Sequence, residues 1–257
     1  MTYIPFVNVI EGLGLQKGDV VLVASDLLRL TIEAYRHGEK VDGNLFIDKL
    51  QSIIGESGTL LFPTYNWDFC NGTAFDYRNT PSKTGALSNL ALKRADFSRT
   101  KHPIYSFAVW GKDRDYLCGL NNTSSFGHDS PFAYLHQQKA KMLVIGLDYS
   151  RSFTFVHYVE ELEKVDYRYL KNFTGPYIDA AGYEEERTYS MYVRDIERGV
   201  VNVFLQPLID RLEQERASSF YEINKVPIYM IDLETAFRVI QDEIRNNGAR
   251  NLYKLEK

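Results

Sequence analysis

The 257-residue chain is short of cysteine and tryptophan, with two of each, and it carries almost no excess charge, 30 Lys and Arg against 34 Asp and Glu. Cys70 and Cys118 have no metal-ligand spacing and are too few to staple a chain of this length, so both are read as reduced thiols. A net charge of −4 without a basic run gives no nucleic-acid footprint. Every apolar run is broken by charge well before the roughly 20 residues that a membrane span needs. The opening Met1-Thr2-Tyr3-Ile4-Pro5 lacks the charged and apolar regions of a secretory signal, which makes a cytoplasmic protein the expectation. Also missing are a G-x-G-x-x-G turn, a Walker loop, a G-x-S-x-G elbow and an H-E-x-x-H pair. The five histidines, His37, His102, His128, His136 and His157, are scattered and form no ligand cluster, so no metal is expected.

What is present is an ordinary compact composition, 44% hydrophobic and rich in Tyr and Phe. Residues 19–25 form a continuous apolar run after a Gly-Asp turn, the pattern of a strand buried on both faces and hence of a parallel sheet. Phe46, Leu50, Ile53 and Ile54 recur at helical spacing, Gly55 stops them, and residues 58–63 read as a second buried strand. Strands are expected again at 105–110 and 141–145, with helices at 85–94 and 131–138. The expected class is α/β, a central mixed, largely parallel sheet sandwiched by helices, with a smaller C-terminal antiparallel α+β lobe. In that lobe a strand at 167–173 and hairpins over 175–194 precede helices at 203–216 and 233–246 flanking a strand at 226–231. With no Pro/Ser-rich linker between them, residues 1–173 and 174–257 are expected to form one cooperative unit.

Several segments could carry chemistry. Around residue 152 a helix begins, with Ser152 or Thr154 as its cap, and it places His157 and Glu160 three residues apart on one face. A carboxylate there can fix the imidazole tautomer, as general-base catalysis requires, although a structural His/Glu pair would read the same way. The loop Ser98-Arg99-Thr100-Lys101-His102 leads into a strand and has the cations that suit phosphate, or it is a solvated turn. Thr64, Tyr65 and Asn66 follow a buried strand, where open α/β sheets contact ligands. Ser25-Asp26-Leu27 follows the first strand and could offer N–H groups to an anion, although Asp26 would repel one. The run Gly127-His128-Asp129-Ser130-Pro131 is explained as a helix start with His128 at the surface.

In order along the chain, Gly18-Asp19-Val20-Val21-Leu22-Val23, Gly58 to Tyr65, Phe75-Asp76 with Thr80-Pro81-Ser82-Lys83-Thr84-Gly85, Ser98 to Ser106, Gly127 to Pro131 and Thr154 to Glu160 resemble the aminoglycoside 3-N-acetyltransferase family. The resemblance runs from Gly18 to about Phe173 and implies the antibiotic N-acetyltransferase fold and an acyl-CoA-dependent N-acyltransferase. Acetyl-CoA or a longer acyl-CoA would be the co-substrate, with no metal. By position it implies His157 as base and Glu160 as its orienting acid. It also implies coenzyme A contacts from Ser25, Asp26, Leu27, Arg99, His102 and Ser106. The chain departs from the family at Ala24-Ser25-Asp26-Leu27, where His-Ser-Ser-Leu is usual.

A neutral imidazole would take a proton from the incoming amine, which then attacks the thioester directly, since neither cysteine has a nucleophile setting. Thr64, Tyr65, Asn66 and Thr154 are the expected acceptor contacts. A backbone N–H, or the hydroxyl of Thr64 or Ser106, would stabilise the oxyanion. The favoured acceptor is a nucleotide-linked (dTDP-type) amino sugar, drawing on Lys171, Arg187, Arg194, Tyr177 and Tyr183. The alternatives are an aminoglycoside held by Asp179 and Glu184-Glu185-Glu186, as in antibiotic resistance, or a non-catalytic protein that kept the fold. Expected partners are therefore a small-molecule amine and coenzyme A, without nucleic acid or membrane, and a homo-oligomer is compatible with this picture.

Overall fold

The computed structural model describes residues 2–256. In chain order the first half contains β1 (Val20–Ser25), α1 (Leu28–Arg36), α2 (Gly43–Ile54), β2 (Thr59–Pro63), β3 (Phe75–Asp76), α3 (Ala86–Lys93), β4 (Ser98–Arg99), β5 (Phe107–Gly111), α4 (Arg114–Gly119), α5 (Pro131–Gln137) and β6 (Lys141–Ile145). There follow α6 (Tyr149–Ser152), α7 (Val156–Glu163), the long hairpin β7 (Arg168–Ile178) and β8 (Glu184–Arg194), β9 (Val200–Asn202), α8 (Gln206–Gln214), β10 (Ser218–Ile223), β11 (Val226–Asp232), α9 (Leu233–Asn247) and β12 (Tyr253–Leu255).

The central sheet has the order β10-β11-β6-β1-β2-β5-β4. It is mixed, as expected, but the parallel part is confined to β6-β1-β2, and the outer pairings are antiparallel. The apolar runs that suggested a largely parallel sheet report burial on both faces, and antiparallel strands inside a sandwich share that burial. Alternation along β1 shows the two faces. Val21 and Val23 join α1, α2 and α3 in one core, whereas Leu22 and Ala24 join α5, α7, α8 and α9 in the other.

Local signals position these helices. Asp42 caps α2 by accepting from Asn44 N at 2.8 Å, and Phe46, Ile47, Leu50 and Ile54 bury its inner face. Ser130 caps α5 as expected, accepting from Ala133 N at 3.3 Å, with Pro131 in the first turn. The helix bearing His157 differs from expectation. Asp148 caps the short α6, and α7 starts only after Phe155, with no side-chain cap from Ser152 or Thr154.

The hairpin β7–β8 is antiparallel over its full eleven-residue strands, with Arg168 opposite Arg194 and Ile178 opposite Glu184. Residue 173 lies inside β7, and β10 and β11 extend the central sheet through β6, so segments 1–173 and 174–257 share one sheet and one core. No described helix is long and apolar enough to cross a membrane.

Two glycines clamp the loop after β1. Gly146, at φ +70°, would place a Cβ 2.2 Å from the Asp26 carbonyl oxygen, and Gly85, at φ +112°, would place one 2.9 Å from the Ser25 carbonyl oxygen. Left-handed backbone and contact at that range both exclude a side chain. Gly38 has a similar φ of +75° but open space around it. Gly146→Ala is therefore expected to lose at least about 2 kcal/mol in urea denaturation, combining strain and overlap. Gly38→Ala should lose only the smaller strain part, and equal losses would remove the clamp from the account.

Candidate active site

Three adjoining cavities lie at the C-terminal ends of β1 and β2. The largest, about 640 Å³, is walled by Ser25, Asp26 and Leu27 after β1, Pro63, Tyr65 and Trp67 after β2, Thr84, Gly85 and Ala86 at the start of α3, and Arg151, Ser152 and Thr154. Asp26 Oδ1 accepts from Leu28 N at 3.0 Å at the start of α1. A narrow throat of about 110 Å³ follows, sharing Arg151, Ser152 and Thr154 with the first cavity and adding His157, Glu160 and Arg168. The third, about 470 Å³, lies against the hairpin and shares His157, Arg168 and Asn202 with the throat and Trp67 with the first cavity. His157 thus borders both the throat and the outer cleft.

The second position of α7 belongs to His157 and the fifth to Glu160, so one turn of helix brings them together. Glu160 Oε2 lies 2.6 Å from His157 Nδ1, and Oε1 accepts from Tyr167 OH at 2.9 Å. Arg168 Nε forms an ion pair with Oε2 at 2.7 Å, while its other nitrogens donate to Tyr192 O at 3.1 Å and Asn202 Oδ1 at 2.7 Å. Tyr167 is fixed by stacking on Tyr253, centroids 4.0 Å apart. Phe126 packs edge-on to the imidazole at 5.5 Å.

Burial alone would raise the Glu160 carboxyl, but His157 and Arg168 outweigh it and hold Glu160 below the ordinary carboxylate value. The imidazole shifts downward. Burial and the Arg168 charge both disfavour the imidazolium and together exceed the pull of Glu160. Its place in the first turn of α7 acts in the same direction. At neutral pH the group is a neutral base whose Nδ1 is occupied by a carboxylate, leaving Nε2 to accept a proton.

Several expected contacts lie elsewhere. Arg99, His102 and Ser106 line none of the three cavities. Arg99 is buried with its guanidinium 4.6 Å from the Phe75 ring centroid, donating to Ser106 Oγ at 3.0 Å, Thr80 O at 2.6 Å and Thr64 O at 3.3 Å. Burial pushes His102 down to about 4, so it brings no positive charge at neutral pH. Arg99 thus has its buried charge satisfied within the protein, by oxygens of the segments around β2, β3 and β5. Thr64 and Ser106 are fully buried and border none of the three cavities; their hydroxyls lie 2.8 Å apart, and Ser106 Oγ donates to Thr64 O at 3.1 Å. Asn66 spends its amide on Pro81 O and Asp68 N. Of the expected residues, Ser25, Asp26, Leu27, Tyr65, Thr154, His157 and Glu160 border the cavities.

The hairpin also redistributes the expected acceptor groups. Asp179 turns its carboxylate to Ala181 N and Tyr183 N at the hairpin tip, and Glu184 opens β8 there. Arg187 pairs with Glu185 at 2.6 Å and lies over the Tyr177 ring, and Tyr177 is buried. Of the cations expected at the acceptor, Lys171 and Arg194 line the outer cleft. Sequence reasoning missed Arg168, Trp67, Thr84 and Gly85 as cavity residues. Thr84 and Gly85 stood inside a recognised block, but Arg168 lies eight residues beyond Glu160 in another element, and no spacing rule marks it.

The family model described as aminoglycoside 3-N-acetyltransferase matches residues 24–244. An SPbeta prophage-derived aminoglycoside N(3')-acetyltransferase-like protein, YokD of Bacillus subtilis (strain 168), is 24% identical, covering 95% of this chain and 93% of that protein. The YokD crystal structure superposes with a TM-score of 0.78 at 21% identity, covering 97% of each chain. The binary complex of AAC-IIIb with CoASH gives 0.78 at 16% identity, covering 96% and 98%. AAC-VIa bound to sisomicin gives 0.74 at 18% identity, covering 96% and 99%. At these identities the structures show a shared fold.

The charges around the imidazole set a measurable value. Arg168→Met removes a cation that disfavours the imidazolium, so the His157 pKa should rise, read from its ring proton shifts in an NMR titration. A fall, or no change, would mean that Arg168 does not govern the base.

Proposed function

Because this chain belongs to the aminoglycoside 3-N-acetyltransferase family, we propose that it transfers an acyl group from coenzyme A to a primary amine on a sugar, with His157 as general base. The observation that carries this reading is His157 itself: it borders both the throat from the larger cavity and the outer cleft, while Glu160 holds Nδ1.

The residues present fit the co-substrate. The 640 Å³ cavity has a mostly apolar wall from Leu22, Ala24, Leu27, Tyr65 and Met142, with the hydroxyls of Ser25, Thr84 and Thr154 along it. That combination suits a pantetheine arm, whose chain is apolar between its amides. We assign Ser25, Leu27, Thr84 and Gly85 to coenzyme A. Thr154 borders both the large cavity and the throat and is assigned to the thioester end. Supply of acyl-CoA fits a cytoplasmic enzyme.

In the proposed step, Nε2 of neutral His157 takes a proton from the amine, and the nitrogen attacks the acyl carbon. The N–C bond forms, the C–S bond breaks, and the departing thiolate recovers a proton from the imidazolium. Glu160, itself neutralised by Arg168 and Tyr167, supports the transient imidazolium and keeps the ring oriented. An acyl-enzyme on cysteine is disfavoured, because burial pushes the Cys70 thiol up to about 11 and Cys118 to about 12, and neither residue borders the throat.

The family and the relatives named above favour an aminoglycoside-like acceptor amine. The nucleotide-linked amino sugar remains a second reading because Lys171 and Arg194 face the outer cleft. His157→Ala should lower kcat by roughly 10²–10⁴ in thiol-release assays with acetyl-CoA and an amine panel, while coenzyme A affinity stays within a few-fold of wild type. Near wild-type turnover in that variant would refute the base assignment. The acidic limb of the kcat/KM profile should fall below the ordinary histidine value, because the free-enzyme base is shifted downward.

A further inference from the structure

We propose that Trp67 is the stacking surface for a second ring of a multi-ring amino-sugar acceptor, whose reactive amine lies on another ring at His157. This rests on the transfer reading and deepens it by naming a residue that selects the size of the acceptor. Trp67 borders both the 640 Å³ cavity and the 470 Å³ outer cleft, so it stands where the donor and acceptor spaces meet. Its side chain is 39% exposed, whereas the neighbouring Tyr65 and Tyr105 are buried. A large apolar ring left open in a cleft is the kind of surface that a ligand covers.

The indole is exposed but held. Nε1 donates to Tyr105 OH at 3.3 Å, and the rings of Tyr65 and Tyr105 meet the indole at 71° and 82°, with centroids 6.4 and 6.2 Å away. Both are edge contacts, and among the described residues no aromatic ring lies flat on the indole. The backbone around Trp67 is fixed by buried Asn66, whose Oδ1 accepts from Asp68 N at 2.9 Å and whose Nδ2 donates to Pro81 O at 3.0 Å. Asn66, expected from its position to touch the acceptor, thus acts through its neighbour. A ring that is already ordered loses little rotamer freedom when covered, so more of the contact energy appears as affinity.

The wall from the base to the indole is aromatic. Phe126 lies 5.5 Å from the imidazole, Tyr105 4.8 Å from Phe126 and Trp67 6.2 Å from Tyr105, and all these rings line the outer cleft. With two rings between imidazole and indole, an acceptor whose amine reaches His157 covers the indole with another of its rings. The hairpin adds Tyr169, Val193 and Met191, which strand pairing and alternation put on one face and which line the same cleft. A sugar ring turns a face of C–H groups to such a surface, and burying that face against an indole removes apolar area from water on both sides. The contact needs no carboxylate, so it serves a polycationic aminoglycoside-like acceptor as well as a less charged one.

The test compares glucosamine, its disaccharide chitobiose and kanamycin, with acetyl-CoA saturating in turnover assays and coenzyme A saturating in binding assays, so that any effect on the donor cavity is common to all. Trp67→Leu is expected to raise KM for chitobiose and kanamycin about 5- to 20-fold, with kcat within a few-fold of wild type and the glucosamine KM changed by less than about 2-fold. Trp67→Phe keeps a π face and should recover most of the loss. A second readout keeps the indole in place. The only other tryptophan, Trp110 on β5, packs against the core on the α2 side and borders none of the three cavities. In a Trp110→Phe protein the indole emission therefore reports on Trp67 alone, and chitobiose and kanamycin should change it saturably where glucosamine does not. An equal rise in KM for all the amines, an unchanged KM for the multi-ring amines in Trp67→Leu, or an emission that ignores them would overturn the proposal. If the emission responds in the expected order but no amine is acetylated, the transfer reading fails and the stacking surface stands; if the amines are acetylated and Trp67→Leu leaves their KM ratio unchanged, transfer stands and the stacking surface fails.

Discussion

The site depends on one buried carboxylate. An isolated charge in the interior is expensive, and Glu160 is tolerated because three groups from separate positions converge on it: His157 from the same helix, Tyr167 from the turn after it and Arg168 from the first residue of the hairpin. Each partner is then held by its own contacts, Tyr167 by stacking on Tyr253 and Arg168 by Tyr192 O and Asn202. Satisfying the carboxylate therefore ties α7, both hairpin strands and the C-terminal strand into one frame. The imidazole inherits a fixed tautomer from that frame.

The same frame sets the direction of the base. A carboxylate beside a histidine ordinarily raises the imidazole, but here Arg168 spends part of the Glu160 charge and burial opposes the imidazolium, so the net shift is downward. In the proposed transfer, where the base must be neutral before an amine arrives, this is the useful direction. The cost is a weaker proton acceptor, which Glu160 offsets by stabilising the imidazolium once it forms. Without Arg168 the imidazole would lose one of the two influences that lower it, burial remaining as the other; without Glu160, an unpaired guanidinium would sit beside it.

The sequence made the frame legible where chemistry follows local spacing. His157 and Glu160 share a face because helices bring i and i+3 together, and the apolar runs at β1, β2 and β6 mark the sheet whose C-terminal ends open into the cavities. It failed where a role depends on distant partners. Arg99 and His102 looked like a phosphate-binding loop because polarity in sequence does not reveal burial. In the fold, Arg99 faces Phe75 and three oxygen acceptors, and His102 is neutral. Arg168 escaped notice for the converse reason, being an isolated cation at the start of a strand. Strand direction was also hidden, since burial on both faces does not distinguish β5 from a parallel neighbour.

The buried frame and the exposed hairpin residues differ in what a substitution costs. Glu160, Tyr167 and Arg168 are buried, and a change at any of them strands a polar group in the interior, which typically costs 1–3 kcal/mol or more. Lys171 and Arg194 are exposed on the hairpin, and substitution at such positions usually moves stability by less than about 0.5 kcal/mol. The exposed hairpin residues can therefore change their charge without disturbing the buried frame around His157. Burial therefore fixes the geometry around His157 far more tightly than it fixes the charge on the exposed hairpin.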